Sequence, residues 1–150
     1  MKTKALLNEF EHKLIEQRYS ISSIQNYLCT VGCFLQLNQN KYSNPLEITE
    51  TEIEKDIYWK IEKHRIGASY QRLIVASIDK FYLSMFNRQL NLNHLYPRSK
   101  NKSLPVYLTA REVSRLMESV TNLKHKCIVQ LLYGCGLRLN ELLHLKLTDV

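Results

Sequence analysis

A chain of 150 residues holds one domain or two small ones, and 45% hydrophobic content is enough for a packed core. No run of about eighteen apolar residues occurs, so a membrane span is not expected. The N-terminal MKTKALLNEFEHK lacks an apolar stretch of signal-peptide length, which points to a cytoplasmic protein.

Only four glycines and three prolines interrupt the chain, and helical periodicity dominates it. Leu6, Leu7, Phe10 and Leu14 mark one face of a first helix. Ser20 or Ser22 can cap a second, with its apolar stripe at Ile24, Tyr27, Leu28, Val31, Phe34 and Leu35. Ser23, Gln25, Asn26 and Thr30 fall on its other side. A loop, NQNKYSNP, follows from Asn38 to Pro45. Thr49 with Glu52 reads as a capping box for a third helix, with Ile53, Ile57 and Ile61 inward. A fourth starts at Gly67–Ser69, and its apolar side holds Tyr70, Leu73, Ile74, Ile78, Phe81, Tyr82, Met85 and Phe86. Gln71, Arg72, Asp79 and Lys80 lie opposite.

Residues 87–105 are polar and basic, with two prolines and no helical stripe, and read as a linker. Beyond them Thr109 and Glu112 form a second capping box for a helix with Val113, Leu116, Met117 and Val120 on its core side. Leu123–Tyr133 is a further apolar helix, ended by Gly134 and Gly136. A last helix is expected from Leu137 to Leu145, with Leu139, Leu142 and Leu143 inward and Tyr133 in the core. The chain therefore divides into a helical domain at 1–90, a basic linker at 91–107 and the opening helices of a second domain at 108–150. About 45 residues make a small core on their own, so the second domain is expected to be incomplete.

The net charge of +7 is unevenly placed. Residues 1–63 sum to −1, residues 64–110 to +6 and residues 111–150 to +2. A basic segment with few acids suits a polyanion, because each neutralised phosphate releases a counterion. A merely solvated face is the alternative. Cys29, Cys33, Cys127 and Cys135 show no CxxC pair or nearby histidine cluster, so no metal site is expected and buried structural thiols are.

Arg138 follows Gly134, Cys135 and Gly136 at the mouth of the last helix. One reading is a surface arginine paired with Glu141 three residues on. The other is a guanidinium fork beside helix-start N–H groups, aimed at a phosphate and oriented by Glu141.

GCGLRLNELLHLKLTDV resembles the first arginine box of the tyrosine recombinases, the phage-integrase and Xer-like site-specific recombinases. Gly136, Leu137, Arg138, Leu139, Glu141, Leu142, Leu145, Asp149 and Val150 fit that pattern. LPVYLTAREVSRLME, Leu104–Glu118, resembles the opening of the family's catalytic domain. SISSIQNYLCTVGCFL and SYQRLIVASIDKFYLSMF are similar to two helices of its core-binding domain. The resemblance implies an all-α chain: a four-helix, SAM-like core-binding bundle, then the first helices of a mainly α catalytic domain. It implies a double-stranded DNA substrate, a multimer on DNA when full length, and no metal, small-molecule cofactor or membrane partner. It implies strand cleavage by a tyrosine through a 3′-phosphotyrosyl link, with arginines stabilising the phosphate charge.

Arg138 matches the first of those arginines, with Glu141 as its support. None of the five histidines has an arginine three residues on, and none of the nine tyrosines sits in the nucleophile's context. The expectation is thus a DNA-binding fragment that does not itself cleave. By the same resemblance, the second and fourth helices face the major groove. Ser23, Gln25, Asn26, Arg72, Lys80, Arg98, Lys100 and Lys102 are the candidate DNA contacts. A non-catalytic DNA-binding regulator and a helical protein-interaction module remain the alternatives.

Overall fold

The computed structural model describes residues 3–98 and 106–149, and among them every regular element is helical. The α-helices are α1 (Thr3–Glu16), α2 (Ile21–Asn38), α3 (Glu50–His64), α4 (Ala68–Phe86), α5 (Ala110–Ser119), α6 (Leu123–Gly134) and α7 (Leu139–Leu143). Short 3-10 turns occur at Pro45–Glu47, Asn93–Leu95 and Leu147–Asp149. The chain divides into two compact units, Met1–Lys100 and Asn101–Val150.

The first unit is built around α4, which packs against α1, α2 and α3. Its Ile74, Val75, Ile78, Phe81 and Tyr82 are buried, and so are Phe10 and Leu14 of α1, Val31, Phe34 and Leu35 of α2, and Ile53 and Ile57 of α3. Phe10 meets Phe81 edge to face at 5.3 Å between centroids, a geometry that aligns ring edge with ring face. Lys13 Nζ donates to the Ser84 carbonyl at 2.9 Å and ties α1 to the end of α4.

The helix ends follow their local chemistry. Ser20 caps α2, its Oγ accepting from the Ser23 N–H at 3.2 Å. Asn87 takes a left-handed conformation (φ 50°) after α4, and its N–H and that of Arg88 return to the Leu83 and Tyr82 carbonyls. The box expected at Thr49 does not close by its hydroxyl, which pairs instead with Thr51 at 2.8 Å. Glu52 is taken by Tyr42, whose hydroxyl donates to its carboxylate and fastens the α2–α3 loop onto α3. That bond, more than burial, raises the Tyr42 pKa.

One buried staple closes the bundle. Tyr82 Oη donates to the Pro45 carbonyl at 2.7 Å, and Arg88 Nη1 donates to the Leu46 and Ile48 carbonyls at 3.2 Å each. The Arg88 guanidinium also lies 5.3 Å from the Tyr82 ring centre, over its π face. Burial pushes the Tyr82 hydroxyl well above its ordinary pKa, so it stays a donor.

Further expectations change. The segment read as linker from residue 91 is packed as far as Leu95, since Leu92 and Leu95 are buried in the first unit's core. Period-based reading missed this because two isolated leucines in a 3-10 turn make no stripe. Tyr70 is 41% exposed, where the α4 pattern placed it inward. All four cysteines are free and exposed. Asn38, assigned to a loop, ends α2 fully buried, its Nδ2 donating to the Phe34 carbonyl and to Asp56.

In the second unit, Thr109 accepts from the Glu112 N–H at 3.3 Å while Glu112 accepts from the Thr109 N–H at 2.7 Å, a closed capping box. Val113 is the one buried apolar side chain among its described residues. Tyr133, Leu139 and Leu143, expected inward, are exposed, because three short helices provide too few faces to cover them. α7 is a short helix within the expected span, and Gly136 at φ 65° makes the turn that precedes it.

Tyr82→Phe should lower stability by about 1 kcal/mol in urea unfolding, since the Pro45 carbonyl keeps the Ile48 N–H. Arg88→Leu should cost about 1–2 kcal/mol, because two carbonyls lose one charged donor.

Candidate nucleic-acid interface

α2 carries no charged residue from Ile21 to Asn38. Burying Ile24, Val31, Phe34 and Leu35 leaves Ser22, Gln25, Asn26, Cys29 and Cys33 exposed, spaced by three or four residues along one stripe. Gln25 and Asn26 therefore point to solvent with free amide groups able to pair with base edges. Ser23 is different: it is half-buried, and its Oγ lies 2.9 Å from Ser20 Oγ within the helix cap.

The candidate cations of α4 are tied to their surroundings. Arg72 Nη2 donates to the Pro97 carbonyl at 3.2 Å, beside the 2.6 Å bond from Gln71 Nε2 to the Leu95 carbonyl. Together these two side chains hold the returning segment 95–97 against α4. Arg72 thereby sits next in space to the backbone that leads into Arg98, which is exposed. The Lys80 ammonium lies 5.2 Å from the Tyr19 ring centre, and Tyr19 packs on Tyr27 of α2 at 5.6 Å. Lys100 and Lys102 lie outside the described residues.

Two tyrosines, Tyr70 and Tyr96, lie at the surface of the first unit. The Tyr96 hydroxyl is raised in pKa by burial first and then by Asp79 and Tyr27, so Tyr96 sits where α2, α4 and the returning segment meet. The Tyr70 hydroxyl is raised by burial and by the Cys33 and Cys29 thiols. Both rings are about 40% exposed. The α4 period assigns Tyr70 to the core, and no period places Tyr96; only their exposure marks both as surface aromatics.

In the second unit, Arg138 occupies the N-cap position of α7 with its side chain 86% exposed. Glu141 holds it twice: Oε2 accepts the Arg138 main-chain N–H at 2.8 Å and Oε1 accepts Nη1 at 3.0 Å. The main-chain bond, and then the guanidinium, keep the Glu141 carboxyl below the usual range. The ion pair of the first reading is present, and the rest of the guanidinium faces solvent. A fork held this way keeps donors for an oxyanion. Among the described residues, no group of three or more His, Cys, Asp or Glu is placed to hold a metal ion, and no helix is long and apolar enough to cross a membrane.

These positions can be set beside known proteins. No family model matches the chain. It is 25% identical over 151 residues to an integrase/recombinase of Escherichia coli, covering all of this chain and 44% of that protein. It is 29% identical over 155 residues to tyrosine recombinase XerD of Oceanobacillus iheyensis, covering 96% of this chain and 52% of that one. A crystal structure of XerA recombinase matches with a TM-score of 0.55 and 31% identity over 99% of this chain. The chain belongs to the tyrosine recombinase family. It spans about half the length of the curated relatives it matches, 44% and 52% of the two named here. The all-helical fold agrees with the recombinase neighbour.

The Arg138–Glu141 clasp has a definite pH response. A depressed carboxyl stabilises the folded clasp above the ordinary glutamate pKa and loses that contribution as pH falls through its lowered value. In a carboxyl NMR titration, Arg138→Ala should move the Glu141 midpoint upward only part of the way, because the main-chain N–H bond remains.

Proposed function

We propose that this chain is the DNA-engaging part of a tyrosine site-specific recombinase, gripping duplex DNA with two helical units in the cytoplasm. The observation that carries this reading is Arg138: an exposed fork, oriented by Glu141 at a helix start, in a chain related to recombinases along its length. Its role is to bind the scissile phosphate and stabilise the charge that develops there during strand cleavage and rejoining. Glu141 orients the fork and does not touch the phosphate.

The first unit supplies positioning. The exposed amides of Gln25 and Asn26 are suited to base edges, and Arg98, Lys100 and Lys102 to the backbone. Arg72 and Lys80 are also engaged within the first unit. Arg72 anchors the segment that bears Arg98, and Lys80 lies against Tyr19 with its ammonium at the surface edge of that ring. Ser23 serves the α2 cap, with a phosphate contact secondary.

No histidine or tyrosine among these 150 residues occupies the family's proton-handling or nucleophile positions. One phosphate-binding arginine without a nucleophile gives affinity and no cleavage. The domains follow as core-binding unit, basic connection and the start of a catalytic domain. Assembly into a multimer on DNA belongs to the full-length protein.

Duplex binding measured by fluorescence anisotropy should weaken steeply with salt, log K falling by about 0.9 per phosphate contact for each unit of log salt. Replacing Arg72, Lys80, Arg98, Lys100 and Lys102 together with Ala should remove most of the affinity and flatten that slope; unchanged binding would refute the proposal. Arg138→Ala should remove about one contact from the slope, and no covalent protein–DNA adduct should form.

A further inference from the structure

Cys29 and Cys33 have no role in the fold or in the reading above. They are free, exposed and one helical turn apart on α2. Cys29 lies three residues from Asn26 and four from Gln25, so it shares their stripe directly. Tyr70 of α4 lies within electrostatic range of both thiols. Cys33 continues the stripe into a shallow hollow that it lines with Gln36, Leu37, Trp59, Lys60 and His64.

We propose that Cys29 and Cys33 are sites of reversible S-thiolation by low-molecular-weight disulfides such as glutathione disulfide, and that the adduct switches off DNA engagement by α2. The inference rests on the reading of α2 as a DNA-facing helix. In the step, the cysteine thiolate attacks one sulfur of RSSR. A protein Sγ–S bond forms, the RS–SR bond breaks, and RS⁻ leaves and takes up the proton released by the cysteine. Atoms and electrons balance with the disulfide as the named oxidant.

One physical feature favours a stable adduct, and a second makes the adduct disruptive. Cβ atoms four apart on a helix sit about 5–6 Å from one another, whereas a disulfide needs about 3.5–4.5 Å. Expulsion of the adduct by closure of a Cys29–Cys33 disulfide would therefore require α2 to distort. The adduct also changes the helix electrostatically. α2 has no charge of its own, so a glutathionyl group, whose two carboxylates outweigh its one ammonium, would give its exposed stripe a net negative charge facing a polyanion.

The test uses the 150-residue chain with Cys127→Ser and Cys135→Ser, treated with glutathione disulfide and followed by intact mass and by anisotropy on a labelled mixed-sequence duplex at low salt. Adduct formation should lower duplex affinity by about tenfold or more, comparable to losing the neighbouring amide contacts, and dithiothreitol should restore it. The further Cys29→Ser/Cys33→Ser protein should bind DNA equally well and be insensitive to the treatment, with circular dichroism checking that it folds. An adduct without loss of affinity overturns the switch, and so does failure of either thiol to form an adduct. Absence of duplex binding before any treatment overturns the DNA reading itself and takes the switch with it, while the mass still reports on thiol access separately.

Discussion

Everything on the surface of the first unit follows from the burial of one stripe of α2 against α4. A helix packed along one side must present the opposite side to solvent, and α2 has only uncharged residues to present. Gln25, Asn26, Cys29 and Cys33 are exposed because Ile24, Val31, Phe34 and Leu35 are not. The Tyr82–Arg88 staple to the α2–α3 loop fixes where α4 ends, and with it the path of the segment that returns over α4. On the proposed DNA reading, this polar, neutral helix would meet base edges, while phosphate attraction would come from elsewhere.

That division of labour reshapes the meaning of the charge. The basic middle of the sequence looks like one uniform patch, yet its members differ in employment. Arg88 closes the core, Arg72 pins residues 95–97, and Lys80 leans on Tyr19. A guanidinium that donates to a buried carbonyl is a structural element first, and its long-range field is what remains for a polyanion. Arg138 is the contrasting case, since Glu141 orients it without covering it.

The two units also differ in how completely they are packed. The first has a continuous core joining four helices and the turn at Asn93–Leu95. The second presents an apolar hollow of about 310 Å³ lined by Leu108, Val113, Leu116, Val129, Leu132 and Tyr133. Three short helices held by well-made caps, at Thr109 and Asn122 especially, keep their local form through backbone hydrogen bonds even where side-chain burial is slight.

The sequence by itself determined the helical class, the seven α-helices and most of their inward stripes, because a 3.6-residue period is a local property that survives in any tertiary context. It also carried the arginine box, whose spacing places Glu141 within reach of Arg138. Tertiary structure alone decided which residues outside that period are buried: Leu92 and Leu95 joined the core, Tyr70 and Tyr133 left it, and the four cysteines turned outward. It decided as well which cations are engaged, because Pro97 meets Arg72, and Leu46 and Ile48 meet Arg88, across 25 to 42 residues of chain. Such contacts depend on how the helices pack in space, and no local pattern of side chains encodes that.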